Sequence, residues 1–208
     1  MPDERKQIRF FTDPRCPWAW QTSKWMRNLV EVRAIDVEWR LFALGLTTDK
    51  GPAVLFDPST RGVHAMRTMA LVKRDLGNDA LGALYEALGA RGHDKGEGLE
   101  QPVVRAALGD AGLDEGAAER AWADDKTVDV IRADHDEATS SVRAFGVPTI
   151  VLPSGRGIFG PVISTPPEGE EAGELWDRME WLAEKGYFFE LKRERDLKPG
   201  EIPAPALF

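Results

Sequence analysis

Apolar positions along the chain follow two rhythms. The run Ile8-Arg9-Phe10-Phe11-Thr12 is nearly unbroken and is closed by Asp13-Pro14, the pattern of a short buried strand ending in a turn. Directly after it the spacing changes to threes and fours, with Trp18, Thr22, Trp25, Met26 and Leu29 on one stripe, which predicts a helix reaching about Val32. Pro17 suits the first turn of that helix, where its missing N–H costs nothing. A second apolar run, Val37 to Leu44, predicts a strand. Two strands joined through a helix pair in parallel.

A Gly-, Pro-, Thr- and Asp-rich loop follows from Gly45 to Thr60, and the pattern then turns helical. The stripes are Met66, Met69, Ala70 and Leu76, then Leu81, Leu84, Tyr85 and Leu88, then Val103, Val104, Ala107 and Leu108, then Ala117, Ala118, Ala121 and Trp122. Gly77, Gly89, Gly109 and Gly112 are placed as helix stops. The Met and Leu stripes read as a small helical core rather than a cofactor box. A further helix is predicted from about Thr127 to Ala144, with Val128, Ile131, His135, Ala138 and Val142 inward and Gly146 beyond its end. Val147 to Leu152 is a strand opened by Pro148, a candidate cis bond, and the turn around Gly155 leads to a hairpin partner over Ile158 to Ile163. A last helix carries Leu175, Trp176, Met179 and Leu182. The expected layout is an α/β domain over residues 1–59 and 126–190, an all-helical insertion over 60–125 and a C-terminal tail over 191–208, proline-rich from Lys198.

Composition narrows the function. Among 208 residues there are 27 Lys and Arg against 35 Asp and Glu, a formal net charge of −8, with three histidines and a single cysteine, Cys16. One cysteine closes no intrachain disulfide and supplies no cysteine-rich zinc site, so no metal site is expected. The acidic balance argues against a phosphate-tracking surface, hence against nucleic acid as partner. No stretch approaches the ~20 apolar residues of a membrane helix, and Met1-Pro2-Asp3-Glu4-Arg5-Lys6 carries no apolar signal core; a cytoplasmic protein is expected. No Gly-x-Gly-x-x-Gly fingerprint supports a nicotinamide site.

A lone cysteine is commonly an inert buried side chain. Cys16, however, stands where a strand gives way to a helix, and helix N-terminal N–H groups favour a thiolate, so a lowered thiol pKa is expected. Asp13 is expected to cap the helix, and its charge would oppose ionisation if it lay close to the sulfur. Trp18 and Trp20 flank the thiol, Trp18 being the better candidate for the wall of an aromatic pocket. His93 lies in a polar loop; a surface histidine is the simpler account and a pocket residue the sharper one. His135 falls on an apolar stripe, where a hydrogen-bonded core histidine is the commoner case. His64 carries no functional expectation, and the mixed charges from Glu190 to Lys198 read as a solvated face.

Phe10-Phe11-Thr12-Asp13-Pro14-Arg15-Cys16-Pro17-Trp18-Ala19 and the distant Gly146-Val147-Pro148-Thr149 together resemble the thioredoxin fold, in the branch related to the bacterial disulfide-bond oxidoreductase DsbA. The resemblance implies a thioredoxin fold carrying a helical insertion, with Pro148 cis and facing the reactive sulfur and the Val147 backbone pairing with substrate like an added strand. Four further segments, Tyr85 to His93, Gly160 to Ser164, Gly169 to Asp177 and Phe188 to Arg193, are similar to the actinobacterial mycothiol-dependent nitroreductase family. That likeness implies a cytoplasmic, dimeric reductase with Cys16 catalytic and a low-molecular-weight thiol, mycothiol or glutathione, as co-substrate, and no tightly bound cofactor. Pro17, Trp18, Val147 and Pro148 would line the substrate site, joined by His93 and His135, the latter matching a histidine in the family.

One departure restricts the chemistry. Redox-active members carry a second cysteine three residues after the first, and here that position is Ala19. The expected function is therefore a DsbA-like thiol oxidoreductase working through one cysteine, which reduces small molecules or mixed disulfides with an external thiol resolving the intermediate. Two alternatives stay open: an enzyme like the kappa-class glutathione transferases and isomerases, or a redox-inactive thioredoxin-fold binding protein.

Overall fold

The computed structural model describes residues 5–196; the N-terminal residues 1–4 and the tail from 197 to 208 lie outside the described residues. β1 (Lys6–Thr12) is followed by α1 (Pro17–Val32) and β2 (Ile35–Leu41), and the two strands pair in parallel from Lys6↔Ile35 to Thr12↔Leu41. The chain then makes two 3₁₀ turns (Leu44–Thr47 and Gly51–Leu55) and enters α2 (Val63–Leu76), α3 (Asn78–Gly89), α4 (Gln101–Asp110), α5 (Ala117–Ala123) and α6 (Lys126–Ser141). β3 (Thr149–Val151) and β4 (Gly157–Phe159) return to the sheet, and α7 (Gly169–Ala183) ends the regular structure. Strand order is β2-β1-β3-β4, with β3 antiparallel to both β1 and β4.

β1 is central, and its side chains alternate between two cores as the pleat requires. Ile8 and Phe10, both fully buried, join the large core that continues through α1 and the helices after β2. Phe11 points into a smaller cluster with Cys16, Trp18, Ala19, Phe42, Ala138, Val147 and Val151. Burying a side chain such as Phe10 contributes about 1.5–3 kcal/mol, so the end of β1 is firmly fixed. Behind the sheet α1 and α7 lock together: the Trp25 indole Nε1 donates to the Ala172 carbonyl at 3.0 Å, and the Trp25 and Trp176 rings lie 6.3 Å apart.

α6 is tied to the sheet by charge. The Asp134 carboxylate accepts from the Leu41 amide at 2.9 Å, from Arg40 at 2.8 Å and from the Lys73 ammonium, joining β2, α2 and α6. Gly89 is the last residue of α3, as its sequence position suggests, but the chain does not unwind there. The chain continues directly into a π-helical turn, Ala90–Asp94, and a side chain at Gly89 would collide with the Trp20 indole. Close packing, not termination, requires glycine there.

Candidate active site

Everything around Cys16 follows from the way β1 ends. Thr12, fully buried, donates its hydroxyl to the Tyr85 phenol at 2.5 Å, fixing the strand end to α3. Asp13 comes next, also fully buried, and its carboxylate organises the turn. It accepts from the Arg15 amide at 2.8 Å, from Arg15 Nε at 3.0 Å, from Arg15 Nη2 at 2.9 Å and from the Leu44 amide at 2.8 Å. Asp13 therefore does not cap α1, because every lone-pair direction is spent on Arg15 and Leu44.

Cys16 is itself the N-cap residue, extended at φ −89° and ψ 108°, with Pro17 opening the helix. The Ala19 amide donates to Cys16 Sγ at 3.4 Å, and the thiol in turn donates to the Val147 carbonyl at 3.6 Å. The Val147–Pro148 peptide is cis, as is Gly160–Pro161. Pro148 is held by its carbonyl accepting from the Gly160 amide at 2.9 Å. The Thr22 hydroxyl bridges the carbonyls of Trp18 and Pro161 at 2.9 and 2.8 Å, linking α1 to the segment after β4.

The ionisation of Cys16 runs opposite to the expectation from its helix position. Burial, at 8% exposure, pushes the thiol pKa up, and the nearby Asp13 charge pushes the same way. The Ala19 and Trp18 amides and the Arg15 guanidinium pull it down without overcoming desolvation. Burial and the Asp13 charge thus favour the protonated thiol, and its S–H has the Val147 carbonyl to donate to.

The other expected site residues divide sharply. Trp18 lies in the Cys16 cluster, 9% exposed, with the Arg195 guanidinium 5.2 Å above its ring, whereas Trp20 fills the main core and donates its indole N–H to Asp94 at 2.9 Å. His93 is not a free surface residue. The π-helical turn folds it inward, so that Nε2 lies 2.8 Å from the Pro14 carbonyl. A carbonyl only accepts, so Nε2 carries the proton. Burial holds the His93 pKa down, opposed by the Pro14 carbonyl and reinforced by the Arg61 charge. His135 is buried on α6, its ring 4.4 Å from Phe42, but among the described residues Nδ1 has no hydrogen-bond partner, unlike an ordinary core histidine. His64 stacks on Trp122 at 4.6 Å, with Arg67 beside it.

At the junction between the Cys16 turn and the helices after β2 the open space is only about 10 Å³, lined by Asp13, Arg15, Thr60, Arg61, Gly62 and others. That is room for about one water. Among the described residues no group of three His, Cys, Asp or Glu is gathered to hold a metal, and no helix is long and apolar enough to cross a membrane. Arg15 is a site residue to which the sequence alone assigns no role. Its signal was the Asp13-Pro14-Arg15 spacing, opposite charges two apart around a proline.

The family model of the Rv2466c-like proteins, described as mycothiol-dependent nitroreductase Rv2466c, matches residues 15–193. The chain belongs to the Rv2466c-like family. An uncharacterised Mycobacterium tuberculosis protein, Rv2286c, is 34% identical over 204 residues, covering 96% of this chain and 87% of that one. Among solved structures, a thioredoxin-like oxidoreductase from Silicibacter pomeroyi superposes with a TM-score of 0.58 at 16% identity, over 86% of this chain and 89% of that one. The cytosolic disulfide reductase DsbM of Pseudomonas aeruginosa superposes with a TM-score of 0.56 at 19% identity, over 84% of this chain and 99% of that one, and is also known with GSH. At these identities the superpositions establish the fold, a DsbA-like thioredoxin fold of α/β class. Within the Rv2466c-like family, this chain presents the motif Cys16-Pro17-Trp18-Ala19, with one sulfur.

Proposed function

We propose that this Rv2466c-like protein is a cytoplasmic monothiol oxidoreductase, with Cys16 as its nucleophile and a low-molecular-weight thiol of the mycothiol or glutathione type as co-substrate. The observation that carries the reading is the setting of the one sulfur. An amide N–H from Ala19 points at it, a carbonyl from Val147 takes its proton side, and the position of a second thiol is filled by a methyl group. The family description and the GSH-bound neighbour support a small thiol as co-substrate.

In the first step the Cys16 S–H leaves Val147 and loses its proton to solvent. The thiolate, now held by the Ala19 N–H, attacks one sulfur of a disulfide R–S–S–R′. The S–S bond breaks, a Cys16–S–S–R bond forms, and R′–S⁻ takes up a proton and departs as a thiol. A second external thiol then attacks the R sulfur, leaving R oxidised in a new small disulfide and restoring the Cys16 thiol. Trp18 supplies the apolar wall, Val147 and Pro148 the opposite side, and His93 positions the Pro14 carbonyl ahead of the nucleophile.

Intact-mass analysis tests this directly. One small-thiol adduct per chain is expected after exposure to bis(2-hydroxyethyl) disulfide, absent in Cys16→Ser; no adduct on the folded wild-type chain defeats the proposal. A second reading, favoured by the buried and protonated state of the thiol, is a binding or transferase-like site in which Cys16 serves only as a hydrogen-bond donor. Under that reading Cys16→Ser keeps full ligand affinity and turnover.

A further inference from the structure

Beside the Cys16 turn, on the side of the helices after β2, two arginines line the small cavity described above. Gly62, at φ +75°, precedes α2, and a side chain there would run into the Arg15 stem, so Arg15 lies directly across the Gly62 backbone with Arg61 adjacent in sequence. Arg15 and Arg61 both line the cavity. The Arg61 charge also reaches His93, whose ring holds the Pro14 carbonyl on the same turn.

Two carboxylates of this region are already committed: Asp13 to Arg15 and two amides, and Asp94 to Lys24 at 2.9 Å and to the Trp20 indole. Arg61 pairs with neither of them among the described residues, and its side chain is exposed. In a chain of net charge −8, this leaves one uncompensated guanidinium within a residue of Arg15, which itself adjoins the nucleophile. Nothing in the packing requires Arg61, since a solvent-exposed arginine with no partner adds little to stability.

We propose that Arg61 is a specificity-determining residue that pairs with a carboxylate on the small disulfide attacked by Cys16. The substrate class is a short-chain disulfide bearing a carboxylate a few carbons from its sulfur. This rests on the monothiol reading for its chemistry but not for its binding. The carboxylate meets Arg61 at the mouth of the site while Arg15 stays engaged with Asp13. Such a rim pair acts mainly through encounter and selectivity and is screened by salt.

Two pairs of probes separate this proposal from the monothiol reading. For reaction, 3,3′-dithiodipropionate is compared with the neutral bis(2-hydroxyethyl) disulfide, with adduct formation on Cys16 followed by mass. The wild-type protein is expected to prefer the dicarboxylate by about fivefold at low salt, a preference lost at 0.5 M salt and in Arg61→Gln, kept in Arg61→Lys, with the neutral probe unchanged throughout. For binding without reaction, the thioether 3,3′-thiodipropionate is compared with thiodiglycol by titrating the Gly62 amide resonance. Tighter binding of the dicarboxylate is expected, weakened by Arg61→Gln. Equal rates and equal affinities for charged and neutral probes would overturn the proposal and leave the monothiol reading intact. If no disulfide reacts at all, the monothiol reading fails, and the thioether titration alone decides the role of Arg61: no charge preference there overturns it.

Discussion

Replacing Asp13 by asparagine sets stability against reactivity at one atom pair. The carboxylate is fully buried and both of its oxygens are engaged, Oδ1 by the Arg15 amide and Nε, Oδ2 by Arg15 Nη2 and the Leu44 amide, with Arg15 Nε also within 3.3 Å of Oδ2. Asn keeps one acceptor, enough for the Arg15 amide and Nε, but its NH₂ group faces two other donors, Arg15 Nη2 and the Leu44 amide. Breaking a buried ion pair from one side costs about 3–5 kcal/mol, because the remaining charge stays desolvated. In a domain of this size that lowers the melting temperature by about 6–20 °C. The same change removes a negative charge that holds the Cys16 thiol pKa up and leaves the Arg15 charge unopposed, so the thiol pKa falls. At pH 7 a larger fraction of Cys16 is then thiolate, and its alkylation by iodoacetamide accelerates even as the fold weakens. Urea unfolding gives the first quantity and the pH dependence of native-state alkylation the second, with small additions of urea checking that labelling does not pass through unfolding. A variant as stable as the wild type, or a thiol that titrates unchanged or higher, would refute this placement of Asp13.

Three other outcomes follow from the structure. Ala19→Cys puts a second sulfur at a position whose amide already lies 3.4 Å from Cys16 Sγ; a small disulfide should then yield an internal disulfide and no retained adduct, read by mass, with about 1–3 kcal/mol lost in the reduced form from overpacking a fully buried site. Gly62→Ala should cost about 1–3 kcal/mol in urea unfolding, since φ +75° disfavours any side chain and the added methyl displaces Arg15. Burial lowers the pKa values of His64, His93 and His135, so the unfolded chain takes up protons near pH ~6.5 that the folded chain accepts only at lower pH. Stability should therefore fall as pH drops through that window, with His93→Gln flattening part of the slope in pH-dependent urea titrations.

The local elements were written in the sequence because each rests on nearest-neighbour physics. The apolar run before Asp13-Pro14, the i, i+3 and i, i+4 stripe from Trp18, and the proline opening Val147 to Leu152 each determine a strand, a helix and a strand start within a few residues. The protonation state of Cys16 was not legible, because it depends on burial by Phe42, Val147 and α6, all distant in sequence. The same is true of His93: its loop composition is polar, and only the π-helical turn brings the ring against Pro14. Asp13 looks like a helix cap from its position, but the Leu44 amide, 31 residues away, and Arg15 claim its carboxylate first. Gly89 likewise matches a helix stop by spacing, while its reason is the face of Trp20.

The most direct measurement is the decay of the Cys16 mixed disulfide after excess small disulfide has been removed, followed by intact mass as the concentration of added small thiol is varied. With no second sulfur in the chain, the expected decay rate is proportional to added thiol and passes through zero in its absence. An adduct that disappears without added thiol, or substrate turnover that survives in Cys16→Ser, would contradict a monothiol mechanism.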